Sequence, residues 1–241
     1  MPILSRRSIL TGACACGLAV GHGVSGAFAR APADAPRTTL SPDQALNLLK
    51  TGNRSFVTDS PIRSVQGRAR RLELARSQSP FAVLVSCSDS RVPPELLFGR
   101  GLGELFIVRN AGNTVDTAAL GSIEYAVAQL GVPLVIVMGH ERCGAVDAAV
   151  SLVRDNTMFP GSIGRMIEPI VPAVLEARAD PGDLLDNAVL RNVRRTVQRL
   201  KTASEPMLLR PLAAGRLKIV GARYDLDDGA VVFFNEAGAA A

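Results

Sequence analysis

Short, continuous apolar runs bounded by turn-forming residues dominate the middle of this chain. The first three lie at 81–85, 105–109 and 134–137, and two more follow near the end at 217–222 and 230–234. Runs of this length without polar alternation are typical of strands buried on both faces of a sheet. The pattern therefore predicts five strands, and a turn at 227–229 predicts that the last two are antiparallel.

Between these runs, apolar residues recur at helical spacing. Helices are predicted at 117–129, at 144–154 and over the long region 163–201, with a break near 180–182. Strands that alternate with helices indicate right-handed βαβ units. The predicted fold class is therefore α/β: a mainly parallel central sheet flanked by helices, with an antiparallel C-terminal edge strand.

The first 29 residues have the pattern of an export signal rather than of a folded element. Arg6 and Arg7 precede a weakly apolar run, and Ala27 and Ala29 offer the small residues that a signal peptidase reads. We predict a twin-arginine signal peptide at 1–29 and hence a periplasmic or secreted protein. Because the apolar run is short and rich in Gly and Ala, no stable membrane insertion is expected after cleavage.

The rest of the chain is predicted to form one domain with short appendages. Residues 30–39 are rich in Pro and Ala and are typical of a linker, whereas 236–241 is expected to be a frayed tail. The domain at 40–235 begins with a helical arm. Ser41 is the predicted N-cap of its first helix, and Gly52 is expected to end that helix.

Composition narrows the classes of function. Of 241 residues, 47% are hydrophobic and none is Trp, so the core is expected to consist of Val, Leu, Ile and Ala, as in packed α/β layers. The net charge of +5 is modest for this length, and the basic residues are dispersed. Nucleic-acid binding is therefore not expected.

Two polar segments directly follow the first and third predicted strands. They are CSDSR at 87–91 and HERC at 140–143. Beyond the predicted signal peptide, Cys87, Cys143 and His140 are the only cysteines and histidine in the sequence. Functional loops gather at the carboxyl ends of parallel strands, and zinc prefers thiolate and imidazole ligands. The sequence therefore predicts one zinc site with three protein ligands and an open fourth position.

Asp89 and Arg91 add to this prediction. A carboxylate two residues from Cys87 can bind the metal or accept a hydrogen bond from metal-bound water, and Arg91 can hold it bidentately and ionised. Two other interpretations stay open. Cys87 and Cys143 could form a disulfide in a non-catalytic exported domain. His140 alone could be a hydrogen-bonded helix-cap residue.

These motifs resemble the signature of the β-class carbonic anhydrases. CSDSR and H-x-x-C carry the resemblance, which covers roughly 40–234 and is extended by the stretches 103–106, 109–113 and 122–126. It implies one Zn²⁺ per chain, held by Cys87, His140 and Cys143. It further implies reversible hydration of carbon dioxide to bicarbonate and a proton, in a homodimer or homotetramer.

The resemblance also implies roles for individual residues. Asp89 paired with Arg91 would leave the fourth zinc position to water or hydroxide, whereas Asp89 bound to zinc would close the enzyme. The implied substrate-binding residues are Gln78, Phe106, Tyr125 and Gly144. Of these, Phe106 and Tyr125 would line the cleft, often across a dimer interface. A related zinc hydrolase of carbonyl sulfide or carbon disulfide would share the metal ligands, so that alternative stays open.

Two features of this chain qualify what the resemblance implies. Some members have an inhibitory bicarbonate site with a tryptophan three residues before the first cysteine. Here that residue is Leu84, although Arg109 and Tyr224 match the other two positions. We therefore expect the open form at neutral pH. With no second histidine beyond the signal peptide, we also expect proton release to depend on buffer.

Overall fold

The computed structural model describes residues 36–60, 62, 66–202 and 206–234, which belong to one compact unit at 31–241. The predicted signal peptide at 1–29 and tail at 236–241 lie outside the described residues. The described strands are β1 (Ala82–Cys87), β2 (Leu105–Asn110), β3 (Leu134–His140), β4 (Lys218–Tyr224) and β5 (Val231–Phe234). They form one sheet in the order β2-β1-β3-β4-β5.

The strand directions confirm the predicted fold class. Neighbouring strands from β2 to β4 are parallel, and β5 pairs with β4 in the antiparallel direction. β1 and β3 are buried along their whole length, as their apolar sequences predicted. The same prediction for β2 is wrong in the single chain: none of its six residues is fully buried. β2 is partly exposed because it is an edge strand, with a neighbouring strand on one side only.

Helices cover both faces of the sheet and form two apolar cores with it. Two short helices, at Pro94–Leu97 and Pro206–Ala213, were not predicted. None of the helices in the described part of the chain has the length and the apolar content needed to cross a membrane. The helices are α1 (Pro42–Val57), α2 (Arg68–Leu74), α3 (Pro94–Leu97), α4 (Thr117–Ala128), α5 (Gly144–Asp155), α6 (Gly161–Ile167), a 3₁₀ turn (Glu168–Ile170), α7 (Val171–Ala177), α8 (Leu184–Thr202) and α9 (Pro206–Ala213).

The first helix confirms the predicted start and corrects the predicted end. The Gln44 N–H donates to Ser41 Oγ at 3.2 Å, and the Ser41 N–H donates to Gln44 Oε1 at 2.8 Å, which forms a capping box. Gly52 does not end α1, which continues to Val57. A Cβ at Gly52 would lie 1.8 Å from the carbonyl oxygen of Phe98. The glycine therefore allows α1 to pack closely on the backbone next to α3.

Candidate metal centre

The structure brings the two polar segments together at the carboxyl ends of β1 and β3. These strands are parallel neighbours, and Cys87 and His140 are their last residues. Cys143, three residues after the end of β3, is the N-cap of α5. The ligand atoms of the three residues all lie within 4.8 Å of one another, and the residues are at most 5% exposed. This geometry suits a single shared ion.

The two cysteines are free thiols. Their Sγ atoms are 3.9 Å apart, about twice the length of a disulfide bond. The hydrogen bond from Cys143 lowers the pKa of Cys87, and the Gly112 N–H, 3.3 Å from Cys87 Sγ, acts in the same direction. The pKa of Cys143 is raised by that same hydrogen bond, by burial and by the charge of Cys87. Cys87 therefore ionises readily while Cys143 keeps its proton, and both become thiolates only when a cation lies between them.

The imidazole of His140 is oriented for a metal. Its Nδ1 lies 2.8 Å from the carbonyl oxygen of Glu141. Since a carbonyl only accepts, Nδ1 is the protonated nitrogen of the neutral ring, and the lone pair of that tautomer is on Nε2. Nε2 is buried and has no hydrogen-bond partner among the described residues. The helix-cap interpretation of this histidine is wrong, because Cys143 occupies the N-cap position. Two sulfurs and one free imidazole nitrogen fit zinc.

Asp89 is held by Arg91 at the edge of the cluster. Arg91 Nε donates to Oδ1 at 2.9 Å and Nη2 donates to Oδ2 at 2.7 Å, while the Arg91 backbone N–H donates to Oδ1 at 2.9 Å. The guanidinium lowers the pKa of the Asp89 carboxyl well below its usual range, so this group is ionised at neutral pH. Asp89 Oδ2 is 3.8 Å from His140 Nε2. The carboxylate is therefore next to the cluster but bound to arginine.

Arg109 has a structural contact that the sequence analysis did not predict. Its guanidinium donates from Nε to the carbonyl of Cys87 at 2.8 Å and from Nη2 to that of Asp89 at 2.7 Å. Arg109 lies opposite Ser86 in the register of β1 and β2, and each of the two residues is one before the end of its strand. The Arg109 guanidinium, which strand pairing places there, therefore holds the backbone on both sides of Ser88. No sequence motif indicates this contact.

Of the four predicted substrate-binding residues, only Gly144 adjoins the cluster in one chain. It is the first residue of α5, directly after Cys143. Phe106 pairs with Val83, four residues or roughly 13 Å before Cys87 along the sheet. Tyr125 is half exposed and lies beside Phe106, with ring centroids 6.4 Å apart. Gln78 precedes β1 and is exposed, at the opposite end of that strand.

Comparisons with known sequences agree with this site. A family model described as "Carbonic anhydrase" matches residues 82–231. "Carbonic anhydrase 2" of Mycobacterium tuberculosis is 43% identical over 198 residues, which cover 82% of this chain and 95% of that protein. A carbonic anhydrase of Mycolicibacterium smegmatis is 42% identical over 191 residues, covering 79% of this chain and 92% of that protein.

Comparisons with solved structures identify the class. The β-carbonic anhydrase CcaA superposes with a TM-score of 0.61 at 28% identity, covering 70% of this chain and 85% of that one. One of two tetrameric β-carbonic anhydrases from the ascomycete Sordaria macrospora gives 0.62 at 26% identity, covering 68% and 85%. The sequence matches, the shared fold and the Cys-His-Cys cluster lead to one conclusion: this chain belongs to the β-class carbonic anhydrase family.

Proposed function

We propose that this protein catalyses the reversible hydration of carbon dioxide to bicarbonate and a proton, with one zinc ion held by Cys87, His140 and Cys143. The observation that carries the proposal is the buried cluster of two thiols and one unpartnered imidazole nitrogen in a carbonic anhydrase fold. Zinc bound there would lower the pKa of a water ligand from about 15.7 towards about 7 and so supply hydroxide at neutral pH.

The protein's own groups orient the reactants. The Glu141 carbonyl fixes the His140 ring through Nδ1, so that Nε2 is left for the cluster. Asp89, kept ionised by Arg91, can only accept hydrogen bonds. It therefore holds the O–H of the attacking oxygen and leaves a lone pair of that oxygen free for the carbon of CO2. As long as Arg91 occupies both carboxylate oxygens, Asp89 does not compete for the metal.

We propose further that a second copy of the chain completes the cleft. Phe106, Tyr125 and Gln78 lie too far along the sheet to reach the cluster of their own chain. Phe106 lies on the half-buried edge strand β2, and the exposed ring of Tyr125 adjoins it. A homodimer or homotetramer that covers this edge would bring these side chains to the neighbouring site. Light scattering on the purified protein measures the assembly, and a monomer that is fully active contradicts this part.

Export through the predicted twin-arginine signal at 1–29 is the proposed route to the periplasm. The support is the Arg6-Arg7 pair ahead of a short apolar run. Cell fractionation of the full chain and of a variant with Arg6→Lys and Arg7→Lys tests it. The variant is expected to stay in the cytoplasm while the unaltered chain leaves it, and equal distribution of both contradicts the route.

The decisive experiment combines metal analysis with turnover. Purified protein is expected to contain one zinc per chain and to hydrate CO2 in stopped-flow assays with a pH indicator. Cys87→Ser should lose zinc and activity together. Ala149→Ser, a comparable change at a buried position of α5 in the same apolar cluster, serves as the control and should keep both. Zinc-loaded protein without CO2 hydration contradicts the proposal.

The same preparation tests the alternatives. Carbonyl sulfide and carbon disulfide are assayed beside CO2, because a related hydrolase would use the same ligand set on those substrates. A thiol count after denaturation tests the disulfide alternative: two reactive thiols in the mature protein are expected from the 3.9 Å separation of the Sγ atoms. A count of zero in metal-free protein would support the non-catalytic domain instead.

A further inference from the structure

We infer that Asn192, on α8, is a positioning residue for the Cys87 thiolate and acts through the backbone of Gly112. The inference rests on the proposed zinc site. Asn192 is 3% exposed, and its Nδ2 donates to the carbonyl oxygen of Gly112 at 2.8 Å. The N–H of the same glycine donates to Cys87 Sγ at 3.3 Å. A buried amide is thus two hydrogen bonds away from a metal ligand.

Gly112 transmits this contact because no larger residue fits there. Its φ is +77°, in the left-handed region that favours glycine. A Cβ would lie 2.6 Å from Ile170 Cδ1 and 3.1 Å from Ala145 Cβ. The backbone of the turn therefore approaches α5 and the 3₁₀ turn closely. The hydrogen bond from Asn192 to the Gly112 carbonyl restrains the same turn whose N–H points at the sulfur.

The same face of α8 also supports the second ligand strand. Val189, Asn192 and Val193 are three and four residues apart, so they lie on one face of the helix. A Cβ at Gly139, the residue before His140, would lie 2.8 Å from Val193 Cγ2 and 3.0 Å from Val189 Cγ1. One face of α8 thus contacts Gly112, whose N–H donates to Cys87, and Gly139, which precedes His140. It therefore packs beside both strands that deliver the ligands.

The chemical consequence concerns the sulfur. An N–H donor to a thiolate stabilises its charge and fixes the direction of its remaining lone pairs, so that the sulfur is held ready for the metal. Groups that hydrogen-bond to a metal ligand, rather than to the metal, typically change metal affinity by 10- to 100-fold when they are removed. Asn192→Leu keeps the approximate volume and removes the donor. We expect it to weaken zinc binding by about 10-fold or more.

The test measures metal binding rather than turnover alone. Zinc dissociation constants come from competition with a chromophoric chelator. Cobalt(II)-substituted protein adds the sulfur-to-cobalt charge-transfer band, which reports the environment of the thiolates. In Asn192→Leu both readouts should move. Asn192→Asp, equal in size but with an acceptor facing the Gly112 carbonyl, should move them at least as far, which a purely steric role does not predict.

Val197→Ala is the matched control. Val197 is 2% exposed on the same helix and packs in the core formed with the sheet, so its truncation lowers the melting temperature without touching Gly112. Its zinc affinity and cobalt spectrum should match those of the unaltered protein. Folded Asn192→Leu and Asn192→Asp proteins with unaltered affinity and spectrum overturn the inference alone. Unaltered protein that binds neither metal overturns the proposed function as well.

Discussion

Replacing Arg91 by leucine should close the active site without emptying it. The change removes the two side-chain hydrogen bonds to Asp89, at 2.9 and 2.7 Å. Asp89 Oδ2 already lies 3.8 Å from His140 Nε2, at the edge of the metal cluster. Without the guanidinium, the best remaining partner for this carboxylate is the metal. We therefore expect Asp89 to occupy the fourth position.

The size of the effect follows from the lost contacts. Hydrogen bonds to charged groups contribute about 1.5–3 kcal/mol each. The Arg91 side chain is 51% exposed, so water screens the pair, and this range is therefore taken for the two bonds together rather than for each. A loss of about 1.5–3 kcal/mol in total shifts the balance from open to closed by roughly 10- to 150-fold. The value of kcat/KM for CO2 hydration at neutral pH should fall by the same order.

Stopped-flow rates and zinc content, measured on the same samples, test this reasoning. Arg91→Leu should keep one zinc per chain while its rate falls. Arg91→Lys should be intermediate, because lysine keeps the charge but lacks the planar fork. Arg154→Leu is the matched control: its side chain is 63% exposed and also binds a carboxylate, Asp155, away from the cluster. A zinc-loaded Arg91→Leu enzyme with an unaltered rate refutes the proposed gate.

Four further predictions concern the loop, the buffer, the helix packing and pH. Arg109→Met, which loses its bonds to the Cys87 and Asp89 carbonyls at 2.8 and 2.7 Å, should lower kcat/KM at least tenfold (about 1.4 kcal/mol) with zinc retained; an unaltered rate contradicts this role. Turnover at saturating CO2 should rise with buffer concentration, and a rate independent of buffer would point to an internal proton shuttle. Gly52→Ala should cost about 1–3 kcal/mol in urea unfolding, since its Cβ meets the Phe98 carbonyl; unaltered stability contradicts the close packing. Arg191 lowers the pKa of Asp180, so this carboxylate stabilises the fold above its unfolded pKa near 4 and loses that contribution as the pH falls through its lower folded pKa. Asp180→Asn should therefore lower the melting temperature more at pH 7 than in acid, and equal melting temperatures at pH 7 would contradict this.

Local sequence determined the helices and strands and the positions of the reactive side chains along the chain. The apolar runs predicted β1 and β3 because a strand buried on both faces needs no polar alternation. The Ser41–Gln44 capping box depends only on residues three apart, so it was predictable as well. The alternation of strands and helices placed Cys87 and His140 at the same end of a parallel sheet, where the strands finish. No contact distance is needed for that inference, since parallel strands end on the same side.

Tertiary structure alone decided the features that depend on residues distant in sequence. Gly52 has the pattern of a helix end, but the Phe98 carbonyl makes it a packing residue inside α1. The edge position of β2 follows from strand order, which periodicity does not encode. The contact of Asn192 with Gly112 joins residues 80 positions apart, and nothing near either residue indicates the other. Sequence therefore determined which groups form the metal centre, whereas packing decided how their sulfur and nitrogen atoms are held, because orientation comes from contacts between elements.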